Sequence, residues 1–396
     1  MRRIKAGFRW VGLRVIGLMS GTSLDGLSVG YVDVEAVSPV FKAEFIAGRT
    51  YRFPPSLREG MLRIAESTPT KPRAYAELSR RLGIFCARKT KSFIKAEKLE
   101  PPELVGFHGQ TVYHSGRKPF VATYQLGDPS PICYELMVPV VSDFRSMDIA
   151  AGGQGAPLVA IVDYLKYRSE QATRAVVNLG GISNLTLLPK ACGLGDVLAF
   201  DTGPGMMVID AAFRRLIDPQ KMFDEGGRVA LTGRVSEKLL DAILKIDDYR
   251  LQPIPKTTGR ERYGKKFLDK VLVEAHRHGV AKEDVITTLS YYTSYMVNHH
   301  LALLGEKGFK VDEIIVGGGG SKNTYIMTKL RENTFGAKLS VHDQYGVPRD
   351  HYESFAFAIL SYLSFNGFAG NTPSATGASR AVLLGRINFP AYRTLK

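Results

Sequence analysis

Two stretches of the chain repeat one plan, and that repetition restricts the fold more than any other feature. Leu13 to Met19 and Ser28 to Glu35 are rich in Val, Ile and Tyr, and they bracket the turn Ser20-Gly21-Thr22-Ser23-Leu24-Asp25-Gly26. About 160 residues later, Arg174 to Gly180 and Asn184 to Leu188 bracket Gly181 and Ser183 in the same way. Apolar β-branched runs joined by a short glycine turn read as paired strands. Two such units in 396 residues, more than one ordinary core accommodates, point to an internally duplicated α/β protein of two lobes.

Two further glycine turns lie where strands give way to helices. Asp201-Thr202-Gly203-Pro204-Gly205 follows the apolar run Val197 to Phe200 and precedes the helical pattern Met206 to Leu216, which places Asp201 at the carboxyl end of a strand. Backbone N–H groups and the dipole at a helix N-terminus attract phosphate, so one carboxylate stands beside an expected anion site. An Asp that only caps the helix or closes the turn is the plainer alternative. Glu313 to Val316 reads as a buried strand leading through Gly317 to Gly320 into Ser321, Lys322 and Asn323 at the start of a helix. Four glycines in a row let a flat ring or a phosphate lie against bare backbone, but their spacing is not the G-x-G-x-x-G of a nicotinamide site.

The first turn is not a Walker loop, because neither a helix nor Gly-Lys-Ser/Thr follows it. It suits a phosphate-holding hairpin in which turn N–H groups and the Thr22 and Ser23 hydroxyls meet phosphate oxygens, with Asp25 holding Mg²⁺ through water. An ordinary hairpin is the alternative.

Between these turns, helices are expected from Pro54 to Lys98 with a break at Thr68-Pro69-Thr70. Leu104 to Phe107 is a short strand leading into a polar loop from His108 to His114, whose two histidines share no helix face and make no metal pair. Gln125 to Pro129 and Asp143-Phe144-Arg145 have the same loop character, and Arg145 either forks onto a carboxylate or phosphate or forms a structural ion pair. Ala151 to Pro157 opens a helix ending near Tyr167, and Lys256 to Glu261 is a basic loop. Val285, Leu289, Tyr292 and Met296 form the core stripe of a long helix. Glu353 begins another, and after a polar loop from Thr372 to Ser379 a final apolar helix is expected.

Composition narrows the class of protein. The apolar share of 44% and charged share of 23% are those of a soluble globular chain, and no apolar run reaches the ~20 residues of a membrane span. The basic start from Met1 to Trp10 has no signal-peptide pattern. Cys86, Cys133 and Cys192 have no metal or redox spacing, which suits a reducing, cytoplasmic setting. The net charge of +15 is scattered; nine basic residues between Lys71 and Lys98 accompany Leu78, Leu82, Phe85, Cys86 and Phe93 at helical spacing, so a solvated helix face accounts for them and no nucleic-acid motif does.

Taken in order, these motifs resemble those of the anhydro-N-acetylmuramic acid kinase family. The matching stretches are Val15 to Gly26, His108 to Thr111, Gln125 to Pro129, Asp143 to Arg145 with Ala150 to Pro157, and Asn178 to Gly181. They continue through Phe200 to Gly205, Pro255 to Glu261, Gly317 to Gly320, Glu353 and Gly370 to Ser374, nearly the whole chain. The resemblance implies a two-lobed actin-like ATPase (ribonuclease H-like) fold with a nucleotide cleft between lobes: residues 1–141 as lobe I, with 370–396 returning to it, and 142–369 as lobe II. It implies ATP and Mg²⁺, the metal at Asp25, and hydrolytic opening of a 1,6-anhydro sugar coupled to phosphorylation of O6. Asp201 falls where the family keeps its catalytic base. Gly21, Thr22, Ser23, Leu24, Asp25, Gly26, Leu27 and Ser28, then Gly203 and Gly205, then Gly318, Gly319, Gly320 and Asn323, fall at its ATP positions. His108, Gln110, Thr111, Arg145, Asn184 and Glu353 fall at sugar contacts. The implied partner is a small anhydro sugar, with neither nucleic acid nor membrane, and a homodimer is compatible.

Three positions depart from the family pattern: Met206 where an Asn is usual, Ser28 where an Asp is common, and Ser354 where Ala usually follows the Glu. Two other readings remain at this level. One is the same chemistry on a plainer anhydro sugar such as levoglucosan; the other is an actin- or Hsp70-like ATPase with no sugar substrate.

Overall fold

The computed structural model describes residues 12–21, 24, 26–37, 40–66, 69–116 and 120–390. Thr22, Ser23 and Asp25, and with Asp25 the expected Mg²⁺ ligand, lie outside the described residues. The chain forms two compact units, residues 1–166 with 351–373 and 377–396, and residues 167–350 with 374–376. Among the described residues no helix is long and apolar enough to cross a membrane.

The first unit is built on strands β1 (Leu13–Ser20), β2 (Gly26–Val37), β3 (Val40–Arg52), β4 (Leu104–Ser115), β5 (Ala122–Leu126) and β6 (Val140–Ser142), with β12 (Arg386–Asn388) returning at its edge. Their order is β12-β6-β4-β1-β2-β3, with β5 on β4; β1, β4 and β6 run parallel, and β2 is antiparallel to both neighbours. The second unit carries β7 (Arg174–Leu179), β8 (Ile182–Leu188), β9 (Leu198–Pro204), β10 (Glu313–Gly317) and β11 (Lys338–Val341), in the order β11-β10-β7-β8-β9. Here β7, β10 and β11 are parallel and β8 is antiparallel to both neighbours. Numbered within its unit, the second sheet reads 5-4-1-2-3, and the first has the same order once the edge strand β12 and the hairpin strand β5 are set aside and β6 is counted fifth. The duplication seen in the glycine turns is thus a duplication of whole sheets, and the chain has the actin-like, ribonuclease H-like ATPase fold.

A glycine row explains how the first sheet receives its principal helix. Gly17 pairs with Gly30 on one side and Gly106 on the other, and Gly30 pairs in turn with Gly48. The buried helix Tyr352–Phe365 lies directly on this bare strip. A Cβ on Gly17 would stand 1.8 Å from the Ser354 carbonyl oxygen, and one on Gly106 would stand 2.5 Å from that of Phe357. Side chains there would lift the helix, and Glu353 in its first turn, off the sheet.

Several expectations need correction. β4 extends through Ser115, so His108 and Gln110 are strand residues and not members of a loop, with Gly109 at φ 73° bending the strand between them. β9 runs through Pro204, so Asp201 sits in the middle of a strand rather than at its carboxyl end. The segment after Ser379 forms β12 on the edge of the first sheet and not an apolar helix, because Arg386 to Asn388 complete hydrogen bonds that β6 would otherwise leave open.

Candidate active site

In the second unit Asp201 is placed by hydrogen bonds through its main chain and its carboxylate. Its N–H donates to the Lys256 carbonyl (2.9 Å), its carbonyl accepts from the Tyr249 hydroxyl (3.0 Å), and its Oδ2 accepts from the Thr258 N–H (2.8 Å). The side chain is half-buried. Register sets its neighbours: Asn178 pairs with Asn184, Asn184 with Asp201, and Gly317 with Asn178. Directly paired residues share a sheet face, so Asn178, Asn184 and Asp201 form a polar row across three strands. Asn178 was missed as a candidate, although a polar residue at the end of the run Arg174 to Leu179 was its visible signal.

The glycine turns of this unit pack against one another. The N–H groups of Gly205, Met206 and Met207 donate to the carbonyls of Gly181, Gly180 and Gly181 (3.1, 2.8 and 3.2 Å), and a Cβ on Gly205 would lie 2.2 Å from the Gly180 oxygen. The start of helix Met206–Leu216, expected to offer these donors to phosphate, spends them on the β7–β8 turn, and Gly205 is required by that close approach. Gly318, at φ 78°, passes so near β7 that a Cβ would meet Asn178 Oδ1 at 2.4 Å, whereas Gly319 has open space above it. Asn323 caps helix Thr324–Glu332 through Oδ1 to the Ile326 N–H (3.1 Å), and its buried Nδ2 has no protein partner among the described residues. Met206 Sδ lies against Gly320, so the thioether fills space between the two turns.

In the first unit, the β1–β2 turn is braced from β4. Gln110 bonds the Ser20 hydroxyl and donates Nε2 to the carbonyls of Gly21 and Thr111 (both 3.2 Å), so its amide is engaged in holding the turn. Thr111 Oγ1 accepts from Gln125 (3.4 Å). Leu24 and Leu27 are buried in the core, so those two positions can offer a ligand only backbone, and Gly26 lets the chain approach Tyr51 closely. Ser28 Oγ lies 3.0 Å from His351 Nδ1 and 3.3 Å from Ser354 Oγ, so Ser28 and Ser354 are neighbours, and Ser354 follows Glu353 in the chain.

Arg145 is held from two sides. Nη1 donates to the Gly155 carbonyl (2.7 Å) and Nη2 to His108 Nε2 (3.0 Å), an arrangement that needs His108 neutral with its proton on Nδ1. Burial, reinforced by the adjacent guanidinium, lowers the His108 pKa to about 3, so this tautomer persists throughout the neutral range. His108 therefore backs Arg145. Asp148 fixes the same loop, accepting from the Gly155 N–H (2.8 Å) and from Asn371 (2.8 Å).

The residues thus gather as Asn184 and Asp201 in the second unit, near the 249–258 segment, and as the hairpin with Gln110, His351 and Ser354 in the first, where His108 and Arg145 form a separate group. No cluster of three or more His, Cys, Asp or Glu suited to a metal occurs among the described residues. The described side chains therefore supply no Mg²⁺ cage, and no step below is routed through the ion.

Comparison with known proteins adds the following. The family model described as Anhydro-N-acetylmuramic acid kinase matches residues 13–390. A Bacillus thuringiensis subsp. konkukian protein named anhydro-N-acetylmuramic acid kinase is 36% identical over 383 residues, covering 95% of this chain and 99% of its own. One of the same name from Caldanaerobacter subterraneus subsp. tengcongensis is 36% identical over 384 residues, covering 95% and 96%. Among solved structures, the activator of the 2-hydroxyisocaproyl-CoA dehydratase from Clostridium difficile aligns with a TM-score of 0.43 at 9% identity, covering 88% of this chain and 94% of its own. A ROK family glucokinase from Streptomyces griseus aligns at 0.37 and 13%, covering 88% and 99%.

Proposed function

Because the chain belongs to the anhydro-N-acetylmuramic acid kinase family, we propose that this sugar kinase couples ATP-dependent phosphorylation to hydrolysis of a 1,6-anhydro bridge. The observation that carries the reading is the carboxylate of Asp201, half-buried beside Asn184 and fixed through its own main chain and the Thr258 N–H. Asp201 takes a proton from water as the water oxygen bonds to C1 of anhydro-N-acetylmuramic acid. The C1–O6 bond breaks, its electron pair stays on O6, and O6 attacks the γ-phosphorus of ATP. The bond from that phosphorus to the β,γ-bridging oxygen breaks, giving N-acetylmuramate 6-phosphate, ADP and one proton released from Asp201.

A positioned base contributes ~10² to 10⁴ in rate, and phosphoryl transfer needs mainly alignment and charge neutralisation. Phosphate is assigned to the Gly21–Ser28 turn and adenosine to Gly318–Asn323, where open space over Gly319 and the Asn323 Nδ2 support it. Gly203 belongs with the phosphate contacts, Gly205 with the packing beneath them. Asp25 would hold Mg²⁺, which when bound would neutralise phosphate charge. Glu353 is assigned to the sugar, and dependence on ATP fits a cytoplasmic enzyme.

Arg145 reads the lactyl carboxylate. Its guanidinium plane is already fixed by His108 and Gly155, so a carboxylate meets preset donors. Arg145→Ala is expected to raise KM for the acidic sugar about 10- to 100-fold, the worth of a charged hydrogen bond, while sparing a neutral anhydro sugar. Steady-state kinetics on both sugars checks this; equal losses on both would assign Arg145 to the fold or to phosphate. Formation of ADP and sugar 6-phosphate in equal amounts tests the overall reaction, and ADP release indifferent to sugar would favour a plain ATPase.

A further inference from the structure

We propose that Lys256 is a positioning residue whose side chain closes a hydrogen-bonded circuit that sets the carboxylate of Asp201. This inference rests on Asp201 being the base.

Lys256 is 6% exposed, and its ammonium donates to backbone carbonyls of Tyr249 (2.7 Å), Gln252 (3.1 Å) and Arg250 (3.5 Å) while lying 4.4 Å from the Tyr249 ring centroid. Burial of so costly a charge against main-chain oxygens calls for a reason. The circuit supplies one. The Asp201 carbonyl is bonded by the Tyr249 hydroxyl, the Tyr249 carbonyl by the Lys256 ammonium, and the Lys256 carbonyl by the Asp201 N–H. Two residues on, the Thr258 N–H reaches Asp201 Oδ2.

The near end of the segment is anchored by hydrogen bonds. Asp247, fully buried, accepts from the hydroxyls of Tyr263 (2.7 Å) and Tyr292 (2.6 Å), from Arg262 Nε (3.0 Å) and from the Tyr249 N–H (3.1 Å). The far end is tied to β9 by the two Asp201 bonds. Between them, the Lys256 ammonium gathers three carbonyls and so determines where the Thr258 N–H points.

The charged and titratable groups around it are Asp247, which favours the ammonium, and Arg262, Arg250, His299 and His300, with the Tyr249 ring below. His300, held near a pKa of about 3 by burial, is neutral. Burial lowers the Lys256 pKa to about 8. Above that value a neutral amine keeps two donors and no charge, and the circuit loosens. The effect on stability has the opposite sign: with the folded pKa below the unfolded 10.5, the unfolded chain binds more protons between about 8 and 10.5, so this group makes the fold more stable as pH rises through that window. A loss of turnover near pH 8 without a fall in Tm separates loosening from unfolding.

The test measures kcat and KM from about pH 6 to 10 for the unaltered protein, Lys256→Met, Lys256→Arg and Asp201→Asn, with Tm and ATP affinity for each. The unaltered protein should lose kcat on the alkaline side with an apparent pKa near 8. Lys256→Met should lower kcat about 10- to 100-fold, as misplacement of a catalytic group by about an ångström does, with KM within about 3-fold and no limb near 8. Lys256→Arg, charged throughout, should move the limb up by at least about one unit. A folded Lys256→Met with near-normal kcat, or an alkaline limb unmoved by Lys256→Arg, overturns the inference; should Lys256→Met not fold, the limb and its response to Arg decide. Loss of turnover in Asp201→Asn with normal Lys256→Met sinks only this inference, whereas normal turnover in Asp201→Asn sinks the reading beneath it.

Discussion

Asp201→Asn lowers turnover by ~10² to 10⁴-fold and leaves Tm and ATP affinity nearly unchanged. The amide oxygen of Asn can accept the Thr258 N–H as Oδ2 does, and both main-chain bonds of residue 201, to Lys256 and from Tyr249, survive the change. What disappears is the capacity to take a proton from water. Single-turnover kinetics at saturating ATP and sugar isolates that step; a rate within a few-fold of normal would remove the carboxylate from the chemistry.

Gly17→Ala is expected to cost at least ~3 kcal/mol of stability and to abolish activity through the fold. The added methyl would lie 1.8 Å from the Ser354 carbonyl oxygen and 2.8 Å from the Ala358 nitrogen, and a helix backbone cannot step aside as a side-chain tip can. Gly305→Ala is the control, since nothing lies within 4 Å of a Cβ there and it belongs to the helix Lys282–Glu306. It should be neutral or slightly stabilising. Denaturant unfolding of both proteins measures the difference, and equal midpoints would mean that the helix does not rest on the glycine row.

Local pattern made much of this architecture readable. Met206 to Leu216 reads as a helix from its spacing and is one over the same residues, and the runs around Gly21 and Gly181 are antiparallel strand pairs. β3 went unread because Lys42, Glu44 and Arg49 alternate with small or aromatic residues on a half-exposed edge strand. β4 was read too short because buried His108 and Gln110 look like loop residues until Arg145 and the Gly21 carbonyl are found beside them. The glycine row was invisible for a related reason: a lone Gly in a strand signals a bulge, and only strand register aligns Gly17, Gly30 and Gly106.

At the site, the type of residue at 201 was legible and its support was not. Lys256 reads only as part of a basic loop, yet its partners are main-chain carbonyls that no sequence pattern reveals. The glycines after Asp201 read as phosphate donors, but register and close packing commit the adjoining N–H groups to Gly180 and Gly181. Hydrogen bonds to backbone atoms are set by tertiary geometry, and composition carries little trace of them.

The central claim is that water opens the anhydro bridge at C1 in the same turnover that phosphorylates O6. Mass spectrometry of products formed from ATP and anhydro-N-acetylmuramic acid in ¹⁸O-water, quenched before the anomeric oxygen exchanges, tests it directly. The account predicts one ¹⁸O on C1 of the sugar 6-phosphate and none in its phosphate; label in free phosphate, with C1 unlabelled, would contradict it.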